Sequence, residues 1–149
     1  MTIQQPIEKI LAETRTIAVV GFSSREHKAG YYVPAYLKRN GYTIYAVNPN
    51  LSTGLGGDKV FDSLNDVPKP VDLVLIFQRS ENVPPFVDEA IAIGAKAVWM
   101  QLGISNEQAA QKAEAAGLDV VQNACMLVEH KYWDANQGRL TGGYQGVDS

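Results

Sequence analysis

Thr16-Ile17-Ala18-Val19-Val20-Gly21-Phe22-Ser23-Ser24-Arg25-Glu26-His27-Lys28-Ala29-Gly30 begins as a β-branched, apolar run and breaks at a glycine. A short polar and basic loop follows, and an amphipathic helix starts beyond it. Strand, tight turn and helix N-terminus is how an open α/β sheet seats a phosphate, because unpaired backbone N–H groups at the helix start face the anion. Gly21 permits the sharp turn, Ser23 and Ser24 add hydroxyl donors, and Arg25 and Lys28 add positive charge. Taken singly, each residue suits an ordinary solvated loop. Together at a strand–helix junction they point to a phosphate ester or diphosphate. The spacing departs from the G-x-G-x-x-G dinucleotide fingerprint, with Ser23 at the second glycine position and Glu26 at the third.

Outward from this stretch, the pattern repeats strand, helix, strand. Ile3, Ile7, Ile10 and Leu11 share one face of a short leading helix within residues 1–12. The first strand runs from Thr16 to Gly21. Tyr31 to Asn40 reads as a helix, with Pro34 tolerable only in its first turn. Thr43 to Val47 is a second strand, stopped by Asn48-Pro49-Asn50. Leu51 to Asp58 is a glycine-rich loop, Lys59 to Phe61 a short edge strand, and Ser63 the cap of a helical turn. Val71 to Phe77 and Ala97 to Met100 are buried strands around a helix from Val83 to Gly94, with Pro84 at its first position. Ser105-Asn106-Glu107-Gln108 has the form of a capping box for an alanine-rich helix ending at Gly117, and Leu118 to Val121 is the last strand. Strands alternating with helices at this spacing predict an α/β fold, a Rossmann-like three-layer sandwich with a mostly parallel sheet in the order 3-2-1-4-5-6. Residues 1–133 form the domain, and 134–149 read as a polar, glycine-rich, flexible tail.

Composition narrows the function classes. Of 149 residues, 46% are hydrophobic and 19% charged, which supports a packed core and excludes disorder. A net charge of −3 argues against a general nucleic-acid binder. One cysteine leaves no disulfide framework and no cysteine-rich zinc site, and the two histidines lack ligand spacing, so no metal is expected. No apolar run has membrane-spanning length, and the N-terminus lacks the basic-then-apolar layout of a signal peptide. The expectation is a cytoplasmic protein.

In a sheet of this order, ligands sit beyond the carboxyl ends of the strands. That rule nominates Gly21 to Lys28, Asn48-Pro49, Phe77-Gln78-Arg79, Gln101 to Gly103, and Asn123-Ala124-Cys125. NAD recognition usually wants an acid at the end of the second strand, where this chain has Val47-Asn48-Pro49. NAD is therefore disfavoured, and a ligand with an extra ribose phosphate, such as NADP, stays open through Arg25 and Lys28. Cys125 defaults to a small buried hydrophobe, although its position brings it to the ligand edge. His27 can reach a phosphate, while His130 packs or caps near the last helix. Trp99 reads as core.

Val19-Val20-Gly21-Phe22-Ser23-Ser24 and Tyr42-Thr43-Ile44-Tyr45-Ala46-Val47-Asn48-Pro49-Asn50 resemble the single-domain CoA-binding proteins, relatives of the CoA-binding domain of the succinyl-CoA synthetase alpha subunit. Val71 to Ile76, Val98-Trp99-Met100-Gln101-Leu102-Gly103 and Cys125-Met126-Leu127-Val128-Glu129 continue the likeness over roughly residues 12 to 133. The resemblance implies a Rossmann-type fold that binds coenzyme A or an acyl-CoA through its ADP portion. It implies a phosphate loop of Gly21, Phe22, Ser23, Ser24 and Lys28, with Val47, Asn48 and Pro49 flanking adenine and ribose. Phe77, Gln78 and Arg79 would meet the nucleotide or the pantetheine arm, and Gln101 and Gly103 would border the arm. It implies binding and assigns no catalytic residue. An NADP-dependent oxidoreductase or another nucleotide-binding regulatory module is the alternative.

Overall fold

A computed structural model describes residues 5–140, with side chains through residue 137. Six strands form one all-parallel sheet in the order β3-β2-β1-β4-β5-β6, as the alternation of elements predicts. The strands are β1 (Thr16–Val20), β2 (Thr43–Val47), β3 (Val60–Phe61), β4 (Leu73–Ile76), β5 (Ala97–Met100) and β6 (Asp119–Val121). The helices are α1 (Ile7–Glu13), α2 (Ala29–Arg39), α3 (Val83–Ala92), α4 (Glu107–Ala115) and α5 (Met126–Leu140).

Both faces of the sheet are covered, so the central strands are apolar at every position instead of alternating. Ala18, Val20, Val74, Ile76, Val98 and Met100 pack with α3 and α4 on one face. Ile17, Val19, Leu73, Leu75 and Trp99 pack with α1, α2 and α5 on the other. The period-two strand geometry sorts neighbours such as Val19 and Val20 to opposite layers. Trp99 is core, fully buried, with its indole N–H donating to the Ala124 carbonyl at 2.8 Å. The order of strands reverses between β1 and β4, the switch point at which open sheets of this kind form a crevice at the strand ends.

Local details differ from expectation at several points. Helix α2 starts at Ala29, two residues before the expected Tyr31, so Pro34 lies beyond its first turn. Pro84 is the second residue of α3 and Val83 the first, a shift the missing N–H tolerates because the whole first turn lacks intrahelical acceptors. The cap of α4 is Asn106 and not Ser105, since the Asn106 side chain accepts from Ala109 N at 3.0 Å. The glycine-rich loop contains one 3-10 turn at Leu55–Gly57. Helix α5 passes the proposed boundary at residue 133 and carries residues 134–140. Residues 141–149 of the expected tail, and Ile3 of the leading helix, lie outside the described residues.

Candidate functional site

The site is built around the end of β1. Gly21 sits at φ +84°, and a Cβ there would lie 2.2 Å from the Phe77 carbonyl oxygen. Both facts demand glycine: the backbone is left-handed, and the chain after β4 presses against it. The Gly21 N–H donates to Val47 O at 3.1 Å, and Phe77 N–H donates to Val20 O at 2.8 Å, so the ends of β1, β2 and β4 are locked together.

The loop beyond Gly21 is held to α2 by an unusual device. Ser23 N–H donates to the Gly30 carbonyl at 3.2 Å. In an ordinary helix that carbonyl would accept from residue 34, but residue 34 is proline and has no N–H. Pro34 therefore leaves Gly30 O available to the loop. Gly30 itself must be small, because a Cβ would approach Gly21 O at 3.1 Å and Ser23 Cβ at 3.4 Å. Gly30 thus fills the close-packing role that the fingerprint spacing assigns to position 26. Sequence spacing alone missed it; the signal available was Ala29-Gly30 at the helix start.

Ser23 Oγ accepts from Arg25 N at 3.1 Å, and Lys28 N–H donates to Arg25 O at 3.0 Å, which folds the basic loop back over the start of α2. No side chain caps that start, and the first intrahelical bond is made by Tyr31 to Lys28 O at 2.9 Å. The N–H groups of Ala29 and Gly30 precede it and, with the positive end of the helix, make a geometry that can seat an anion. Ser24, Arg25 and Lys28 are exposed around it, and His27 is exposed beside them. Phe22 differs from its loop neighbours. It is fully buried against Tyr31, with ring centroids 5.9 Å apart, and anchors the loop from below.

Next to the seat, on the α3 side of the sheet, lies a cleft of about 290 Å³. Val20, Gly21, Val47 and Phe86 supply its less polar wall. Asn48, Pro49, Asp62, Ser63, Gln78 and Glu89 contribute most of the remainder. Gly21, Val47, Asn48, Pro49 and Gln78 were nominated from sequence, and the fold brings them together here. Asp62, Ser63, Phe86 and Glu89 were not. Asp62 and Ser63 follow the two-residue strand β3, and Phe86 and Glu89 face the cleft from α3, a placement no local motif reports.

Asn48 belongs to the scaffold as well as the cleft. Its Nδ2 donates to Phe22 O at 2.8 Å, and its Oδ1 accepts from Asn50 N at 2.8 Å. It ties the end of β2 to the β1 loop. Phe77 is half-buried and packs on the α2 face, while Arg79 is exposed at the start of the next turn.

The remaining nominated residues gather at the start of α5, away from the cleft lining. Gln101 is buried, and its Oε1 accepts from Met126 N at 3.3 Å, which caps α5. Gly103 N–H donates to Asn123 Oδ1 at 2.7 Å, closing the turn above β5. Cys125 is a free, half-buried thiol one residue before α5. Among the described residues no cluster of three or more His, Cys, Asp or Glu side chains could hold a metal, and no helix is long and apolar enough to cross a membrane.

His130 lies at the opposite end of the sheet. It is buried, its Nδ1 is 2.8 Å from the Tyr36 hydroxyl, and the rings of Tyr42 and Trp133 surround it. Burial lowers its pKa below the ordinary 6.5, against a smaller raising effect of Asp134.

Residues 15–131 match the model of a family described as CoA binding domain. The chain is 36% identical over 124 residues to the uncharacterized protein YneT of Bacillus subtilis, covering 83% of this chain and 91% of that one. It is 35% identical over 96 residues to ADP-forming acetate–CoA ligase II of Archaeoglobus fulgidus, and the match spans 62% of this chain but 14% of the ligase. A solved structure of a hypothetical protein from Pyrococcus horikoshii superposes with a TM-score of 0.82 at 35% identity, covering 89% of this chain and 99% of that one.

Proposed function

Because this chain belongs to the CoA-binding domain family, we propose that it binds coenzyme A or an acyl-CoA through the ADP portion, as a cytoplasmic module without catalysis of its own. The uncapped N-terminus of α2 beside the cleft carries this reading. The diphosphate rests on the Ala29 and Gly30 N–H groups, with Ser24, Arg25 and Lys28 around it. Dipole, hydroxyls and cations all favour a polyanion there, on a chain whose net charge is otherwise negative. Adenine and ribose enter the cleft between Pro49 and Phe86. The pantetheine arm runs the other way, past Phe77 and Arg79 toward Gln101, Gly103 and Cys125.

Calorimetric titration with coenzyme A, dephospho-CoA and NADP tests the assignment. Saturable binding of coenzyme A, weakened by Lys28→Ala or Arg25→Ala, is expected. Binding of NADP without binding of coenzyme A overturns it.

A further inference from the structure

The charges at the site are divided. The cations Arg25, Lys28 and Arg79 stand on the loops, and none of them lines the cleft. The acidic residues that line it are Asp62, exposed after β3, and Glu89, half-buried on α3. Among the described residues neither carboxylate joins an ion pair; the acids that do are Asp58, Asp72, Asp88 and Asp119. Ionised carboxylates accept hydrogen bonds and repel anions. Two carboxylates therefore disfavour a phosphate in this cleft and favour a neutral group that brings N–H donors.

We propose that Asp62 and Glu89 are specificity determinants that select a purine bearing an exocyclic amino group. This rests on the nucleotide reading above and goes further by naming what the cleft reads. The base slides between Phe86 and Pro49, and its amino group donates to a carboxylate. The same acids fix the direction of the ligand. A diphosphate is disfavoured in the cleft, so it stays at α2, and a ribose phosphate points out of the mouth toward solvent and the basic loop.

The test compares ADP with purine-riboside diphosphate, which differs only in lacking the amino group, by calorimetry on the wild-type chain and on Asp62→Ala and Glu89→Ala, with coenzyme A titrated alongside. A bond from an N–H to a charged acceptor predicts at least a tenfold preference for ADP. That preference shrinks below about threefold in at least one variant, while affinity for the amino-free analogue is unchanged or rises. Equal binding of the two nucleotides by the wild type, or an undiminished preference in both variants, overturns the proposal. If coenzyme A binds normally in either of those cases, the CoA reading stands and only the role of the acids falls. If no nucleotide and no coenzyme A binds, both fall. The unfolding midpoint of each variant, measured in urea, separates lost binding from lost folding.

Discussion

Gly21 and Pro34 are two residues whose importance comes from what they lack. Gly21 lacks a Cβ, and the Phe77 carbonyl occupies the place where one would be. Gly21→Ala combines left-handed strain with a backbone clash, a cost of about 2–4 kcal/mol. Urea denaturation should show that loss, with coenzyme A binding abolished; unchanged stability would mean the loop after β4 yields easily. Pro34 lacks an N–H, and the Gly30 carbonyl it leaves open holds Ser23. Pro34→Ala restores a helical donor that competes for that carbonyl. The expected result is an unfolding midpoint no lower than wild type, since proline inside a helix is unfavourable. Coenzyme A affinity should nevertheless fall about fivefold, the equivalent of one net hydrogen bond near 1 kcal/mol. Affinity equal to wild type would show that Ser23 does not depend on the proline.

At the scale of elements, α4 offers a clean contrast between two adjacent capping candidates. Asn106 Oδ1 accepts from Ala109 N, and Asn106 Nδ2 donates to Ser80 O at 3.0 Å, so one side chain both caps α4 and fastens it to the turn after β4. Asn106→Ala should cost about 1 kcal/mol or somewhat more in chemical denaturation, and Ser105→Ala a few tenths. The reverse order would return the cap to Ser105. The S-x-x-Q pattern pointed one residue too early because a capping box is a spacing rule, and both Ser105 and Asn106 are good caps. The sheet was easier to read. Short unbroken apolar runs such as Leu73–Ile76 and Ala97–Met100, bounded by turn residues, read as strands buried on both faces, and each is followed by a helix that returns the chain to the same edge. The strand-end rule nominated Gly21 and Val47 to Pro49, which the fold gathers along one cleft. It was silent on Phe86 and Glu89, which reach the cleft from inside a helix. It also nominated Gln101, whose buried side chain accepts from Met126 N at the start of α5.

Across the whole molecule, two buried ionisable groups near the amino ends of the strands, Asp72 and His130, are expected to shape the response to acid. Asp72 is raised by burial, but the N–H groups of Arg15 and Thr16, at 2.9 and 3.1 Å, and the nearby Lys96 ammonium outweigh this and hold it below its ordinary value of 3.8. His130 is lowered from 6.5, chiefly by burial, and Asp134 offsets only part of that. The neighbouring phenols stay protonated in this range, since Tyr36 is raised and Tyr42 is pushed up to about 12. For both lowered groups the unfolded chain takes up a proton at a higher pH than the folded one does. Stability is therefore complete above the unfolded value and declines as pH falls toward the folded value. The histidine acts first, below pH 6.5, and the aspartate only below about pH 4. Urea midpoints at pH 7.5 and 5.5 should show wild-type stability falling between them. His130→Phe, which keeps an aromatic ring among Tyr36, Tyr42 and Trp133 but cannot titrate, should flatten most of that fall while starting from a lower midpoint, because the Tyr36 hydroxyl loses its partner. Equal wild-type midpoints at the two pH values, or the same fall in the variant, would remove His130 as the group responsible. Asp72→Asn should leave the upper window intact and weaken the protein at pH 7.5, because two backbone donors and Lys96 lose their carboxylate.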